Sequence, residues 1–265
     1  MRKPELVVSD LDGTLMKANT ASLEPAALAA VQRLLDAGIP FMPASGRQYP
    51  NVRNMLSSLR GRLSHICENG VVAYVDGELA YHATLDYDLG VEIIRTIQEH
   101  EGCRPMVSGM ETYFIEPHNA SFERYLEEGC GFIVTCVDDL TDIGEPYGKI
   151  SAFYDEGIKD DLRYWAERFG DRCTVTTSGA KWLDIMPKGV NKAVALSAVL
   201  EHMGINPDDV IAFGDAGNDV EMLKLVGCPI AKADGAPDAI AQARYTTDDV
   251  AASLASILDG PGFDW

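Results

Sequence analysis

The 265-residue chain has no uninterrupted run of about eighteen apolar residues, so it offers no segment able to span a bilayer as a helix. It has no low-complexity tract and no internal repeat, which excludes disordered, collagen-like and coiled-coil architectures. The six cysteines, Cys67, Cys103, Cys130, Cys136, Cys173 and Cys228, form neither a C-x-x-C pair nor a Cys/His cluster. They read as reduced thiols filling the interior, with no zinc or redox role. Positive charge is scarce: 22 Lys and Arg stand against 41 Asp and Glu, a formal net charge of −19. Such a field repels phosphate backbones and anionic lipid surfaces, so neither nucleic acid nor a membrane is an expected partner. A small anionic substrate would need a metal ion or placed Lys and Arg to receive it. No apolar signal core precedes Asp10, and the expected location is the cytoplasm. What remains, 46% hydrophobic and 24% charged residues, is an ordinary globular composition, and the length suits one large domain or a core carrying a second, smaller unit.

The first third alternates short apolar runs with helical patterns. Leu6-Val7-Val8 reads as a buried parallel strand, and Ser22 as the N-cap of a helix whose apolar positions Leu28, Val31, Leu34 and Leu35 recur at helical spacing and which Gly38 stops. A second strand is expected over 41–44, a helix over 51–59 and a third strand near 65–67. The same rhythm resumes late, with a helix over 190–203, strands over 210–213 and 229–231, and a helix over 220–226. This order implies right-handed crossovers and an α/β architecture, a Rossmann-like parallel sheet with helices on both faces. Between the two stretches the texture changes to mixed segments with scattered aromatics and strand-like runs at 112–115, 131–136 and 149–154, read as an inserted α+β domain. The predicted organisation is core 1–82, insert 83–185 and core 186–265.

Ser9-Asp10-Leu11-Asp12-Gly13-Thr14-Leu15 directly follows the first strand, where period-two geometry sends Asp10 and Asp12 the same way. Two hard carboxylates in one small space suit Mg²⁺, although Asp12 or Thr14 capping the next element is the alternative for such a turn in isolation. Gly214-Asp215-Ala216-Gly217-Asn218-Asp219 follows another buried strand and adds two carboxylates, with positions 215, 218 and 219 on one face of any helical turn opening there. In open parallel sheets the carboxyl ends of the strands form the ligand crevice, so Asp10, Ser45 and Asp215 should converge. Ser45 and Gly46 offer a hydroxyl and a backbone N–H to a phosphate oxygen, and Arg47 adds charge. Lys188 or Lys192, flanking the start of the late helix, can place an ammonium over the acidic cluster, as electrostatics requires if a phosphate dianion is to enter it.

Taken in order, Asp10-Leu11-Asp12-Gly13-Thr14-Leu15, Ser45-Gly46-Arg47, the Lys192 helix and Gly214-Asp215-x-x-Asn218-Asp219 resemble the haloacid dehalogenase superfamily of aspartate-nucleophile phosphatases. The position of the insert, and Glu68-Asn69-Gly70 after the third strand, are similar to its Cof-like sugar-phosphatase branch with a type 2 cap. The resemblance implies that Asp10 is the nucleophile and Asp12 the general acid and base. It implies Mg²⁺ held by Asp10, the backbone carbonyl of Asp12 and Asp215, with Asp219 and Asn218 orienting that shell or the phosphate. Ser45, Gly46, Lys192 and Asn218 would bind phosphoryl oxygens, with Arg47 and Lys188 as further substrate contacts. Ala193 stands where the family usually has Gly, which leaves the choice between Lys188 and Lys192 open.

The expected activity is therefore Mg²⁺-dependent hydrolysis of small phosphorylated metabolites, sugar phosphates foremost, through an aspartyl-phosphate. A phosphotransferase or mutase using the same aspartate, or a non-catalytic metal- or phosphate-binding module, are the alternatives. A nucleotide-binding dehydrogenase is disfavoured, since no G-x-G-x-x-G follows the first strand. Tyr113, Phe114, His118 and Trp182 of the insert are candidates to touch a leaving group, and the linkers near 82 and 185 are the expected hinges of a cap that opens and closes.

Overall fold

A computed structural model describes residues 3–17, 22–59, 61–117, 120–158, 161–177, 180–259 and 263. Along the chain these give β1 (Leu6–Ser9), α1 (Pro25–Asp36), β2 (Phe41–Pro43), α2 (Tyr49–Met55), β3 (His65–Cys67), β4 (Val72–Val75) and β5 (Glu78–His82). There follow α3 (Tyr87–Glu99), β6 (Cys103–Ser108), β7 (Tyr113–Ile115), α4 (Ala120–Arg124), β8 (Val134–Cys136), β9 (Lys149–Tyr154), α5 (Asp161–Phe169), β10 (Cys173–Thr177) and β11 (Trp182–Pro187). The last stretch holds α6 (Lys192–Met203), β12 (Val210–Gly214), α7 (Val220–Leu225), β13 (Cys228–Lys232), α8 (Pro237–Ile240), β14 (Tyr245–Thr247) and α9 (Val250–Asp259).

The chain divides into two compact units, residues 1–47 with 52–81 and 191–265, and residues 48–51 with 82–190. In the first, a five-stranded sheet runs β14-β13-β12-β1-β2 with every pairing parallel, the α/β core that the sequence pattern predicts. Its central strands β1, β2 and β12 are buried throughout and read as near-continuous apolar runs; on one face Leu6, Val8, Met42, Val210 and Ala212 pack with Ala195, Leu196, Val199 and Leu223 from α6 and α7. Helix α1 begins later than expected. Pro25 takes its first position and Glu24 its N-cap, so Ser22 lies outside the helix, since a proline at the first position costs no hydrogen bond and presets the helical φ. The third strand also differs. β3 runs parallel to β2 where Ile66 bridges Ala44, as expected, but its ladder pairs antiparallel with β4, in a separate β3-β4-β5 sheet.

The second unit holds a six-stranded sheet, β10-β11-β9-β6-β7-β8, antiparallel except between β7 and β8. One face buries Ile150, Ala152, Leu183 and Ile185 against α3 and α5, including Ile93, Ile97, Trp165 and Phe169. The expected boundary at 185/186 falls inside β11, whose Met186 and Pro187 still pair with Thr174 and Cys173 of β10, and the unit ends at Val190. Tyr113 and Phe114 are buried in packing of this unit, Trp182 packs against Phe132 and Phe153, and His118 lies outside the described residues. No disulfide joins the six cysteines, and burial pushes the Cys103 thiol up to about 11 and that of Cys228 to about 12, so neither is a nucleophile at neutral pH. Among the described residues no helix is long and apolar enough to cross a membrane.

One buried group makes the core acid-sensitive. His65 on β3 is 6% exposed; desolvation, with Arg53 nearby, lowers its pKa from 6.5 to about 4. A depressed histidine contributes stability that is complete above about pH 6.5 and lost as the pH falls toward 4, at up to ~1.4 kcal/mol per pH unit and about 3 kcal/mol in all. Urea unfolding of the wild type and of His65→Gln should therefore converge by about this amount between pH 7 and pH 4. A stability difference that stays constant over that interval contradicts the assignment.

Candidate active site

The carboxyl ends of β1, β2 and β12 meet at one place. Asp10 N–H donates to the carbonyl of Phe213 (2.9 Å) and Ala44 N–H to that of Ser9 (2.8 Å), so the ladder of the sheet continues one residue beyond each strand and sets Asp10 beside the 214–219 loop and the 44–47 turn. Ser45, fully buried, in turn donates its N–H to Ile66 (2.9 Å). The sequence-predicted convergence of Asp10, Ser45 and Asp215 thus rests on main-chain hydrogen bonds between elements far apart in the chain.

Gly13 turns the chain back, its N–H bonded to the Met16 carbonyl (2.8 Å) at φ +93°, a conformation that L-residues rarely adopt. A Cβ there would lie 2.5 Å from Oδ2 of Asp215, so the position needs glycine for space as well as for backbone freedom. The turn delivers Thr14, whose hydroxyl donates to Oδ1 of Asp215 (2.5 Å). The sequence singles out no such role for Thr14, because its partner is 201 residues away.

At the centre lies Lys192, the first residue of α6 and wholly buried. Its Nζ sits 2.5 Å from Oδ1 of Asp10 and 2.6 Å from Oδ1 of Asp219. A cation at a helix N-terminus opposes the helix dipole, and the two buried carboxylates offset this. Asn191 caps the helix by accepting from the N–H groups of Ala193 (2.9 Å) and Val194 (3.1 Å), so alanine after the lysine is accommodated. Lys188 belongs to the second unit, where its ammonium donates to the Gly170 carbonyl. Asp219 has both oxygens engaged, Oδ1 by Lys192 and Oδ2 by the N–H groups of Asp215 (3.0 Å) and Ala216 (3.1 Å). It therefore shapes the loop that carries Asp215.

Carboxylate oxygens of Asp10, Asp215 and Asp219 lie within 4.8 Å of one another, against one ammonium. Burial, then the neighbouring carboxylates, raises Asp10 well above the ordinary carboxylate range, with Lys192 opposing. Burial also raises Asp215, with the Thr14 hydrogen bond opposing. With Asp219 held by Lys192 and the main chain, the hard oxygens of Asp10 and Asp215, with no thiolate or imidazole in the set, fit a small divalent cation of the Mg²⁺ type, whose charge would offset their repulsion.

The remaining predicted residues surround this cluster. Arg47 grips Asp12 as a two-pronged fork, Nε to Oδ2 and Nη2 to Oδ1, both 2.7 Å, and its own N–H donates to the Ser45 hydroxyl (3.1 Å). Asn218 is exposed and donates from Nδ2 to Oδ1 of Asn69 (3.0 Å), a partner that the Asn218 motif does not reveal.

An acid cluster around a buried lysine, at the carboxyl ends of a parallel sheet, defines the site of an α/β enzyme whose chemistry rests on carboxylates rather than that of a dinucleotide-binding protein. The chain belongs to the haloacid dehalogenase-like hydrolase family, whose model matches residues 7–257. It is 26% identical over 248 residues to the 5-amino-6-(5-phospho-D-ribitylamino)uracil phosphatase YbjI of Escherichia coli, covering 91% of this chain and 89% of that protein. It is 29% identical over 248 residues to the chloroplastic endoribonuclease YBEY of Arabidopsis thaliana; 87% of this chain matches 41% of that protein's length. Its fold superposes with a TM-score of 0.82 on a haloacid dehalogenase-like hydrolase from Bacteroides thetaiotaomicron, at 25% identity, covering 97% of this chain and 100% of the other. The family and fold expected from the motifs are thereby borne out, as is the expectation of a hydrolase.

Proposed function

We propose that the protein is a Mg²⁺-dependent phosphomonoesterase acting on small phosphorylated metabolites, sugar phosphates foremost, through a phosphoryl group carried on Asp10. The observation that carries this reading is the Asp10–Lys192–Asp219 cluster with Asp215 beside it: a buried carboxylate fixed by an ammonium, next to a second carboxylate with which it can share a cation. The Escherichia coli relative supports the substrate class, since its name specifies a phosphate on a ribityl chain.

Lys192 holds one oxygen of Asp10, fixing the side chain's rotamer and leaving attack on phosphorus to the other. As the Asp10 O–P bond forms, the P–O bond to the leaving group breaks, and Asp12 supplies the proton that the leaving oxygen takes up. In the second half Asp12 accepts a proton from the water that attacks phosphorus, releasing inorganic phosphate and restoring Asp10. Both oxygens of Asp12 accept from Arg47, so proton transfer requires that fork to open. An arriving phosphate dianion competes for the guanidinium and supplies a reason for it to open. The Ser45 hydroxyl, the Gly46 N–H, Lys192 and Asn218 hold the phosphoryl oxygens. Asp10, Asp215 and the carbonyl of Asp12 would hold Mg²⁺, which when bound offsets the repulsion between the attacking carboxylate and the phosphate.

A panel of phosphate esters, assayed for released inorganic phosphate with and without metal, tests the reading. Chelation should remove activity and added Mg²⁺ restore it. Turnover indifferent to chelation would overturn the metal assignment, and transfer to a second alcohol without phosphate release would make the protein a phosphotransferase.

A further inference from the structure

Glu68, Asn69 and Gly70, between β3 and β4, adopt three successive positive φ angles of 55°, 56° and 96°. A left-handed glutamate is uncommon, and such a run persists only where its surroundings over-determine it. All three residues are buried, and the turn touches every phosphate-binding segment of the proposed site. Asn69 N–H donates to the Ser45 carbonyl and Glu68 N–H to that of Arg47, both 3.0 Å. Gly70 packs against the start of α6 so tightly that a Cβ would fall 2.2 Å from the Asn191 carbonyl oxygen and 2.9 Å from the N of Lys192. The Asn69 amide lies over Gly46, with its Oδ1 3.0 Å from where a Cβ would stand, and the same oxygen accepts from Asn218 Nδ2 at 3.0 Å.

We infer that Asn69 is a positioning residue for phosphoryl binding: its side-chain oxygen orients the Asn218 amide toward the substrate's phosphoryl oxygens. With one Nδ2 hydrogen committed to Asn69, Asn218 presents its other hydrogen in a fixed direction, which an exposed asparagine could not do alone. The inference rests on the phosphomonoesterase reading.

Asn69→Gly tests it, because glycine accepts a φ of +56° without strain and keeps the N–H bond to Ser45, so that only the side chain is lost. The variant should fold and unfold cooperatively like the wild type, since its backbone is unstrained and only one side-chain contact is lost. Its kcat/KM should nevertheless fall about 10- to 100-fold, with inorganic phosphate weakened as a competitive inhibitor by a similar factor. Combined with Asn218→Ala, it should cost no more than about twofold beyond Asn218→Ala alone, since the two act through one contact. Asn69→Asp keeps the acceptor and adds a negative charge, so its kcat should recover relative to Asn69→Ala while KM rises.

Asn69→Gly within about twofold of the wild type in turnover and phosphate inhibition overturns the inference, as do losses that simply add in the double variant. Should Asn69→Gly fail to fold, a kcat for Asn69→Asp no better than that for Asn69→Ala overturns it equally. Asp10-dependent hydrolysis by the wild type keeps the two readings separable: where it is present, these results bear on Asn69 alone. A wild-type chain that hydrolyses no ester overturns the phosphomonoesterase reading and this inference with it.

Discussion

Asp10→Asn should abolish phosphate-ester hydrolysis, lowering kcat by at least about 10⁴-fold, while leaving the protein folded. The loss follows from chemistry, since a neutral amide oxygen is a far weaker nucleophile than a carboxylate and cannot form the mixed anhydride with phosphorus. Retention of the fold follows from the electrostatics of the cluster. Asp10 is disfavoured as an anion by its own burial and by Asp219 and Asp215, so replacing it with a neutral isostere relieves repulsion and leaves Lys192 paired one-to-one with Asp219. Circular dichroism and urea unfolding alongside the assay separate the two effects. Near-normal hydrolysis by a folded Asp10→Asn protein contradicts the assignment; unfolding of the variant contradicts the electrostatic argument.

Lys192→Met should have the largest effect on stability, a loss of about 3–5 kcal/mol, with activity lost as well. Removing the ammonium strands two buried carboxylates: Asp10 at 5% exposure and Asp219 at none. An uncompensated buried charge costs far more than the ion pair contributed, and here two are left at once. Asp219→Asn on the Lys192→Met background should recover part of that stability. The asparagine carbonyl can still accept from the N–H groups of Asp215 and Ala216, and its amide can donate toward Asp10. Urea midpoints of the wild type, the single variant and the double variant measure this. A Lys192→Met protein within about 1 kcal/mol of the wild type would show the buried pair to be energetically idle.

Much of this arrangement could be read from residue order alone, for a physical reason. The short apolar runs of β1, β2 and β12 are bounded by turn residues, and a buried parallel strand followed by a carboxylate leaves few other readings. β9, Lys149–Tyr154, is equally legible because it lies between turn-forming stretches. The start of α1 lies beyond the expected cap because Ser22 caps well in isolation, whereas Pro25 fixes the first turn. β3 runs parallel to β2 as expected, where Ile66 bridges Ala44, but three residues, His-Ile-Cys, give no sign of the antiparallel hairpin that its other edge makes with β4. At the site, local motifs brought out Asp10, Asp12, Asp215 and Lys192, but not what each side chain holds. Lys188 and Lys192 are four residues apart and equally charged, and only the cap at Asn191 and the strand end at Pro187 send them to different partners. The fork between Arg47 and Asp12, the single hydrogen bond from Thr14 to Asp215 and the contact of Asn69 with Asn218 across 149 residues depend on tertiary placement that no local pattern encodes.

The central claim is that Asp10 carries the phosphoryl group covalently, and acid quenching during turnover followed by peptide mass analysis tests it most directly. The account predicts a phosphoryl group on the peptide containing Asp10, removed by hydroxylamine as an acyl phosphate should be and absent from Asp10→Asn. Steady hydrolysis with no trapped adduct on that peptide, or an adduct on another residue, would contradict it.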